Sequence, residues 1–386
     1  MRLIPFEMER WQSTWENRAE YNLSESGVHP LTLTELLDGD SADIIKQPLG
    51  YSQTNGTEEL RKTIAAIYPD ASSDNVLVTN GSAEANFVAM WSLLDRDAEV
   101  AIMLPNYMQV WGLAKMLQAK VRPFWLREYE DEWRPDLRQL KKIVTRTTKL
   151  IALCNPNNPT GAVMRDEQMD EICEVAERAG AWILSDEVYQ GAELDGKTTP
   201  TLWGQYDRAI VTNSLSKAYG LPGLRIGWVV GPTDLIGKLW SYHDYTTICP
   251  SALSDYLARR VLRPDTRAKV LARARSILQE NLPMIKNWTD RHRDCLSCIP
   301  PKAGAISYVK YSLGIDSKDL AERLLREKST LIVPGSHFGM EKYIRIGYGS
   351  PAHRLKAGLG RITDLINEIR HQTGKREMSQ GPSTSG

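Results

Sequence analysis

The chain has 386 residues, which is long enough to bury a large core and to form about two domains. Lysine plus arginine and aspartate plus glutamate both total 48, so the formal net charge is zero and no basic surface predicts binding to nucleic acid or to an anionic membrane. No stretch approaches the roughly 18 apolar residues of a membrane span, and the first residues lack the apolar run of a signal peptide. We therefore expect a cytoplasmic protein.

From about residue 75 onward, short apolar runs alternate with longer amphipathic ones. The runs that predict strands are NVLVTN, EVAIML, KLIALC, AWILSDE and RAIVTNS, and those that predict helices are AEANFVAMWSLL, MQVWGLAKMLQA and DEQMDEICEVAERAG. This alternation is typical of crossover units in a parallel sheet. The predicted fold class is α/β, with a mostly parallel central sheet, helices on both faces, and the site in the loops that follow the strands.

Near residue 250 the pattern changes to long helices rich in Arg, Lys and Leu, then to three short strands and a closing amphipathic helix. The segments are PSALSDYLARRVL and DTRAKVLARARSILQENLPMIKNWTDRH, then AISYVKY, TLIVPG and YIRIGYG, then HRLKAGLGRITDLINEIRHQ. We predict an N-terminal segment over 1–44, a large domain over 45–250, a smaller α+β domain over 251–374 and a disordered tail over 375–386.

The predicted strand ends carry polar residues. Ser82 and Ala83 follow Gly81 where a strand turns into a helix, a place for free backbone N–H groups to hold a phosphate, although a plain helix start capped by Ser82 has the same sequence. Tyr107 follows the next strand and is placed either to stack on a ring or to pack in the core.

Two later strand ends carry amide and carboxylate side chains. ALCNPNNPTG makes an amide-rich turn that includes Asn158, and ILSDEVYQG places Asp186 at the tip of an apolar strand with Tyr189 three residues on. Burying a charged carboxylate costs free energy unless a cation pairs with it. A positively charged ring nitrogen would therefore suit Asp186.

Lys217 lies in TNSLSKAYGLPGLRIGW, with Ser214 and Ser216 just before it and Arg225 eight residues after it. A partly desolvated lysine amine can attack a carbonyl carbon, and an arginine can hold a phosphate through two parallel hydrogen bonds. An isolated lysine is usually a solvated surface charge, but the acidic strand tip and the phosphate-type groups favour a catalytic lysine here.

In combination and order, these motifs resemble the fold-type I, pyridoxal-phosphate (PLP)-dependent aminotransferases of class I and II over roughly residues 20 to 370. The resemblance implies a three-layer PLP-dependent transferase fold and a reaction in which an L-α-amino acid forms an external aldimine and loses its α-proton. Lys217 would bind the cofactor and move the proton, and Asp186 would pair with the ring nitrogen. The other implied cofactor contacts are Tyr189, Asn158, Tyr107, Ser82, Ala83, Ser214, Ser216 and Arg225.

Further residues match the family at its subunit and substrate contacts. Tyr51 matches the tyrosine that reaches the phosphate of the neighbouring subunit, which implies a homodimer with shared sites. Arg345 in YIRIGYG matches the arginine that binds the substrate α-carboxylate, the alternative being a surface arginine on a strand. Thr246 and Thr247 either approach the partner's phosphate or cap a loop.

The N-terminal region departs from the usual family pattern. NLSESGVHPLTLTELL keeps a small residue, Gly27, for the substrate carboxylate but adds His29, and the upstream STWEN contains Thr14 and Glu16. These segments resemble those of the oxygen-using arginine oxidases and hydroxylases and of capreomycidine synthase, which cyclises a hydroxylated arginine. His29 is then an acid, a base or a group that orients water or dioxygen, unless it only caps or packs. Glu16 and Glu25 either face a cationic substrate side chain or are solvated.

Three hypotheses follow for the function. The first is an aminotransferase that uses a 2-oxo acid as acceptor, and the second is an oxidase, hydroxylase or cyclase of arginine or a related amino acid, with dioxygen as a possible co-substrate. The third is a catalytically silent PLP-fold binding protein, disfavoured because Lys217, Asp186 and Arg345 are all present. CLSC, with Cys295 and Cys298, is a weak zinc signal without a second pair, and we predict no metal site.

Overall fold

The computed structural model describes residues 4–37 and 42–379, with side chains described up to residue 372. The strands are β1 Tyr21–Asn22, β2 Val76–Thr79, β3 Glu99–Leu104, β4 Lys120–Tyr129, β5 Glu132–Pro135, β6 Thr148–Cys154, β7 Trp182–Asp186, β8 Ala209–Ser214, β9 Gly227–Val230, β10 Leu296–Cys298, β11 Ile306–Tyr311, β12 Thr330–Leu331, β13 Val333–Pro334 and β14 Tyr343–Gly347. The helices are α1 Glu7–Trp15, α2 Leu33–Leu37, α3 Ala42–Ile45, α4 Glu58–Ala65, α5 Ser82–Leu93, α6 Gln109–Met116, α7 Leu137–Ile143, α8 Asp166–Ala179, α9 Thr233–His243, α10 Ala252–Leu262, α11 Pro264–Arg291, α12 Ser317–Lys328 and α13 Ala352–Ser379.

The large sheet has the strand order β2-β9-β8-β7-β6-β3-β4-β5. Strands β8, β7, β6, β3 and β4 pair in parallel, whereas β9 is antiparallel to both β8 and β2, and β5 is antiparallel to β4. All five strands predicted from apolar runs lie in this sheet. The carboxyl ends of the parallel strands therefore meet along one edge, which places their loops together.

Helices cover this sheet on both faces. Neighbouring residues of β7 point to opposite sides, Ile183 into one core cluster and Leu184 into another. The cluster around Leu184 is closed by the apolar faces of α5, α6 and α9, and the cluster around Ile183 by α4, α8 and α10. Continuous apolar runs fit this arrangement, because a strand buried on both faces has no polar side. The predicted three-layer α/β fold is confirmed.

A smaller, antiparallel sheet with the order β10-β11-β14-β13 follows, beside α11, α12 and α13. The run TLIVPG, predicted as one strand, divides into two: β12 pairs in parallel with β1, and β13 pairs with β14. The pairing of β1 with β12 attaches the N-terminal segment to this part of the chain. The predicted domain boundaries at 44/45 and 250/251 stay predictions.

The predicted tail differs from the structure at its start. Helix α13 continues through Ser379, so residues 375–379 are helical, because Lys, Arg, Glu and Met at 375–378 all have high helix propensity. Residues 380–386 lie outside the described residues, as do residues 1–3 and 38–41 of the predicted N-terminal segment.

None of the described helices is long and apolar enough to cross a membrane. Within the described ranges, His, Cys, Asp and Glu side chains form no group of three or more that could hold a metal ion. The Cys298 thiol lies 3.1 Å from the Ser307 hydroxyl, and all five cysteines are free.

Candidate active site

A cavity of about 320 Å³ opens at the carboxyl edge of the large sheet and is closed on one side by α1. The loops that follow β2, β3, β6, β7 and β8 each contribute to it. Six of the predicted residues line it together, namely Ser82, Ala83, Tyr107, Asn158, Asp186 and Tyr189. Four more, Glu16, Ser216, Lys217 and Arg225, complete that group.

One end of the cavity is built to hold an anion. Ser82 and Ala83 form the first turn of α5, whose N–H groups have no preceding turn to bond. Gly227 packs against this turn so closely that a Cβ there would lie 2.4 Å from the backbone nitrogen of Ser82. The Arg225 guanidinium reaches the same place, donating to the Pro222 carbonyl at 2.9 Å.

Asp186 provides a buried negative charge in the wall of the cavity. Its carboxylate accepts hydrogen bonds from the Asn86 amide at 3.1 Å and from the Val188 backbone N–H at 3.1 Å. The Thr212 hydroxyl donates to the Asn86 carbonyl oxygen at 2.8 Å, which fixes that amide. Burial nevertheless raises the pKa of Asp186, since no cation pairs with it among the described residues. A cationic partner in the cavity would restore its charge.

Lys217 projects from the loop after β8 and forms an ion pair. Its Nζ donates to Glu25 Oε1 at 2.8 Å. The charge of Lys217 lowers the pKa of Glu25 to about 2. Burial opposes the charge on Lys217, but Glu25 and Tyr189 together outweigh it, so the net pKa of Lys217 lies above its ordinary value. Ser214 lies beneath the loop, where its hydroxyl accepts the Ser216 N–H at 3.2 Å, and it does not line the cavity.

Two tyrosines complete the wall. The buried hydroxyl of Tyr189 has no hydrogen bond of normal geometry in the described part of the chain, and burial raises its pKa. The Tyr107 hydroxyl donates to Glu9 Oε1 at 2.9 Å, so this ring is tied to α1. Burial and the charge of Glu9 raise the pKa of Tyr107.

Arg345 on β14 is fully buried behind Asn158, which contradicts the alternative of a surface arginine. Its guanidinium donates to the Asn158 amide oxygen at 2.9 Å, to the Ser24 carbonyl at 2.7 Å and, through a long contact of 3.4 Å, to the Gln12 amide oxygen. Its Nε has no partner within the described ranges. Arg345 therefore keeps donor capacity beside the cavity.

The neighbouring wall, formed by α1, the residue after it and the loop after β1, is acidic. Glu9, Glu16 and Glu25 all line the cavity. Glu9 is bonded to Tyr107 and Glu25 to Lys217, whereas the Glu16 carboxylate has no hydrogen bond or ion pair in the described part of the chain.

Two predicted catalytic residues are not in the cavity. The Thr14 hydroxyl is exposed and donates to the Arg10 carbonyl at 2.6 Å within its own helix, as polar residues in helices commonly do. His29 instead faces Arg273, whose guanidinium lies 3.1 Å from His29 Nδ1 and also donates to the His29 carbonyl. Gly27 packs directly against the Lys217 loop, since a Cβ on it would lie 3.5 Å from Lys217 Cδ.

The residues predicted at a subunit contact lie away from the cavity. Tyr51 is 88% exposed and lines a surface groove together with Thr247 and Leu253. The Thr247 hydroxyl donates to Glu84 at 2.8 Å, and the Thr246 hydroxyl donates to the His243 carbonyl at 2.9 Å. Both threonines therefore have the internal bonds expected of loop caps.

Comparison with known proteins decides the family. The family model of aminotransferase class I and II matches residues 30–362. The chain belongs to this family. Its members are PLP-dependent, and the solved structures it resembles have the fold-type I architecture.

Relatives within the family carry out more than one reaction. A capreomycidine synthase of Streptomyces vinaceus is 31% identical over 96% of this chain and 95% of its own length. An aromatic-amino-acid aminotransferase of Thermococcus litoralis is 28% identical over 82% of this chain and 84% of its own. Among solved structures, a PLP-dependent aminotransferase of Streptococcus suis has a TM-score of 0.90 and 34% identity, covering 96% of this chain and 99% of its own.

The cavity of this aminotransferase-family protein fits PLP on its own geometry. The first turn of α5, kept clear by Gly227, would receive the phosphate, and the unpaired Asp186 would face the ring nitrogen. The unbonded hydroxyl of Tyr189 offers a donor inside the cavity, and Lys217 offers the amine. These features supply one partner for each polar part of the cofactor.

Several residues of the site were not predicted from the sequence. Glu9 and Gln12 come from an N-terminal helix that was not predicted, and Asn86 and Thr212 lie beneath Asp186. Asn86 lies four residues after Ser82, a helical spacing that places it over the sheet and that could have identified it. The contact of Glu25 with Lys217 joins positions 192 residues apart and has no local signal.

Proposed function

We propose that this protein is a PLP-dependent enzyme that removes the α-proton of an L-α-amino acid and transfers the amino group to a 2-oxo acid. The observation that carries the proposal is the meeting of Lys217, Asp186, Tyr189 and Asn158 in one cavity, with Arg345 directly behind Asn158. These residues come from the ends of β6, β7 and β8 and from β14, so distant parts of the chain meet in one place.

Each residue has a definite task in this reaction. Ser82, Ala83, Ser216 and Arg225 would hold the phosphate, Asp186 the ring nitrogen and Tyr189 with Asn158 the phenolic oxygen. When bound, PLP supplies the electron sink that stabilises the negative charge left on the α-carbon. Lys217 Nζ takes the α-proton and later returns a proton, and the wall made by α1 limits the access of water.

The substrate is held by its carboxylate and by its side chain. Arg345 binds the α-carboxylate, which replaces the long contact with Gln12. The acidic wall supports a side chain with a positive charge, and Glu16 is the carboxylate left to pair with it. A hydrogen bond to a charged group contributes about 1.5–3 kcal/mol, so roughly tenfold preference or more for cationic over anionic amino acids is expected.

The test is to mix the PLP-loaded enzyme with single L-amino acids and no oxo acid, following the cofactor spectrum and dissolved oxygen. If the amino group is transferred, the cofactor should be converted to its aminated form without oxygen uptake, and a 2-oxo acid should reverse the conversion. The conversion should be fastest with cationic amino acids. Glu16→Gln should raise KM for these substrates alone, and Glu20→Gln, at an exposed glutamate nearby, is the matched control. A preference for glutamate or aspartate would contradict the assignment of Glu16.

The second candidate is turnover of arginine or a related amino acid without any oxo acid, by oxidation or ring closure. The match to capreomycidine synthase over 96% of the chain and the acidic wall favour it. It ranks second because Thr14 and His29, on which an oxygen reaction would depend, lie outside the cavity. Sustained oxygen uptake, or a cyclic product formed with no acceptor present, would place this candidate first.

We also propose a homodimer with shared sites. The support is an apolar groove that includes Leu49, Tyr51 and Leu253, side chains that a lone chain would be expected to bury. Tyr51 would extend from it toward the phosphate held by the partner.

A further inference from the structure

Glu25 is fixed in place by more than its ion pair. Its Oε1 accepts the N–H groups of Ser26 and Gly27 at 2.8 and 3.0 Å as well as Lys217 Nζ. The loop that carries it is tied at both ends, because the His29 N–H donates to the Gly349 carbonyl and the Gly347 N–H to the Leu23 carbonyl. The carboxylate is therefore held beside the lysine independently of the lysine itself.

The loop also packs directly on the lysine segment. A Cβ at Gly27 would lie 3.3 Å from the Ser216 carbonyl and 3.5 Å from Lys217 Cδ, so the backbone at Gly27 is in contact with this segment. The distance between Glu25 and Lys217 is consequently set by backbone packing.

The charges that face the amino group of Lys217 come from three directions. Glu25 on the N-terminal loop and Tyr189 after β7 favour the protonated amine, whereas burial and Arg345 on β14 oppose it. Asp186 shares the cavity and is bonded to Asn86 and Val188. Among these groups, Glu25 is the one that hydrogen-bonds Lys217.

We propose that Glu25 is a positioning residue for Lys217, one that holds the free amino group in the cavity and sets how readily it gives or takes a proton. This inference rests on the proposed function, in which Lys217 binds the cofactor and moves the α-proton. The resemblance to the family gives a role to the small residue of this loop, Gly27, but gives none to Glu25.

The pairing has opposite effects on two steps. Loading requires the uncharged amine, whose nitrogen forms a C=N bond to the cofactor aldehyde carbon while the aldehyde oxygen leaves as water. Because Glu25 favours the protonated amine, it slows loading at neutral pH. After substrate has displaced the lysine, the same pairing holds the ammonium ready to return its proton to carbon.

The test compares the wild type with Glu25→Gln, which keeps an oxygen for the two N–H groups and removes only the charge. In the loaded protein, the spectroscopic pKa of the lysine–cofactor linkage should fall by about one unit. This is the low end of the pKa shifts that a nearby opposite charge causes, because the Glu25 side chain is 46% exposed and solvent screens its charge. In the apo protein, PLP loading at pH 7 should be roughly tenfold faster for each unit by which the lysine pKa falls.

Glu16→Gln is the matched control, since it removes a carboxylate of the same cavity that does not touch Lys217. Glu25→Asp, with a shorter side chain and the charge kept, should give a smaller shift of the same sign, and it carries the test if the Gln variant does not fold. An unchanged spectroscopic pKa, or an equal shift in Glu16→Gln, would overturn the proposal. Lys217→Ala separates the two claims, because a cofactor linkage that persists in it refutes the role of Lys217 and leaves Glu25 without one.

Discussion

At the scale of single residues, the site depends on placing charges where water is excluded. Asp186 is buried with two neutral donors, so its position is favourable only when a cation fills the cavity. The cation expected there is the protonated ring nitrogen of PLP. The site without cofactor is thus incomplete in its charges, and binding restores the balance.

Asp186→Asn tests the role of this negative charge by replacing one carboxylate oxygen with an amide nitrogen. The amide keeps the shape and can still accept the Val188 N–H, but it cannot balance a positive ring nitrogen. We expect weaker retention of PLP and α-proton removal slowed by roughly 10²–10³-fold, the scale of losing one preorganised electrostatic group. Solvent deuterium exchange at the substrate α-carbon measures this step directly. Exchange at the wild-type rate would show that the carboxylate does not act on the ring.

Glu187, next in the chain, is buried at the same strand end and makes the stability of the fold depend on pH. It accepts hydrogen bonds from the Leu202 N–H at 2.9 Å and the Ser185 hydroxyl at 3.1 Å, while its Oε2 has no partner among the described residues. Burial raises its pKa to about 8 from 4.5. The folded state therefore keeps a proton that the unfolded state releases.

The raised pKa of Glu187 makes the free energy of unfolding depend on pH. Between about pH 4.5 and 8 the folded protein binds the extra proton, so the free energy of unfolding falls as pH rises through this window. The cost is about 1.4 kcal/mol for each unit between the two pKa values. Glu187→Gln should remove this decline, as measured by urea unfolding at pH 5, 6.5 and 8. Parallel profiles for the variant and the wild type would mean that Glu187 is not protonated in the folded state.

The predictability of these residues depends on how local their contacts are. Lys217, Asp186 and Asn158 could be singled out, and their meeting in one cavity expected, because each lies in a short motif at or just after the end of a buried strand. Glu9 was not assigned, and Glu25 was expected to face a cationic substrate or solvent, whereas it pairs with Lys217. Their partners are 98 and 192 residues away, and nothing beside them in the sequence marks the contact. Of the two alternatives for His29, the structure favours packing, because its imidazole lies beside Arg273 and an imidazole near a glycine in the sequence does not reveal that contact.

At the scale of elements, the strand ends determine the site. The apolar runs of β2, β3, β6, β7 and β8 were predictable because strands buried on both faces exclude polar side chains. Strand β4 was not predicted, since this strand near the sheet edge carries exposed charged residues in KVRPFWLREY. Strand β9 is only four residues long and follows a glycine-rich turn, so its antiparallel insertion between β2 and β8 left no pattern to find.

Strand β9 nevertheless shapes the end of the cavity that we propose holds the phosphate. A Cβ on Gly227 would lie 2.3 Å from the carbonyl carbon of Gly81 and 2.4 Å from Ser82 N, which are backbone atoms that cannot move away cheaply. We expect Gly227→Ala to shift the first turn of α5, weakening PLP binding at least tenfold and lowering the melting temperature. Gly112→Ala is the control, because a Cβ there meets nothing within 4 Å in helix α6.

This result is read from fluorescence titration of apo protein with PLP and from thermal unfolding of the same samples. Retention of wild-type affinity in Gly227→Ala would mean that the turn tolerates the methyl group and that its close packing does not shape the phosphate site.

At the scale of the whole molecule, the exposed apolar groove predicts association of two chains. Leu253→Asp places a charge in this groove and should convert a dimer into a monomer that releases PLP, as measured by light scattering and cofactor absorbance. Tyr129→Asp, at an exposed tyrosine on the β4–β5 hairpin, is the matched control and should stay dimeric. A Leu253→Asp protein that stays dimeric and loaded would contradict the proposed interface.

Borohydride reduction of the PLP-loaded protein, followed by peptide mass mapping, identifies the lysine that binds the cofactor. We predict that a single phosphopyridoxyl group is fixed to Lys217, in the peptide that contains SLSKAYG, and that prior incubation with a reactive amino acid removes the label from it. A label on another lysine, or no label despite bound PLP, would contradict the assignment of Lys217 and with it the mechanism built on this cavity.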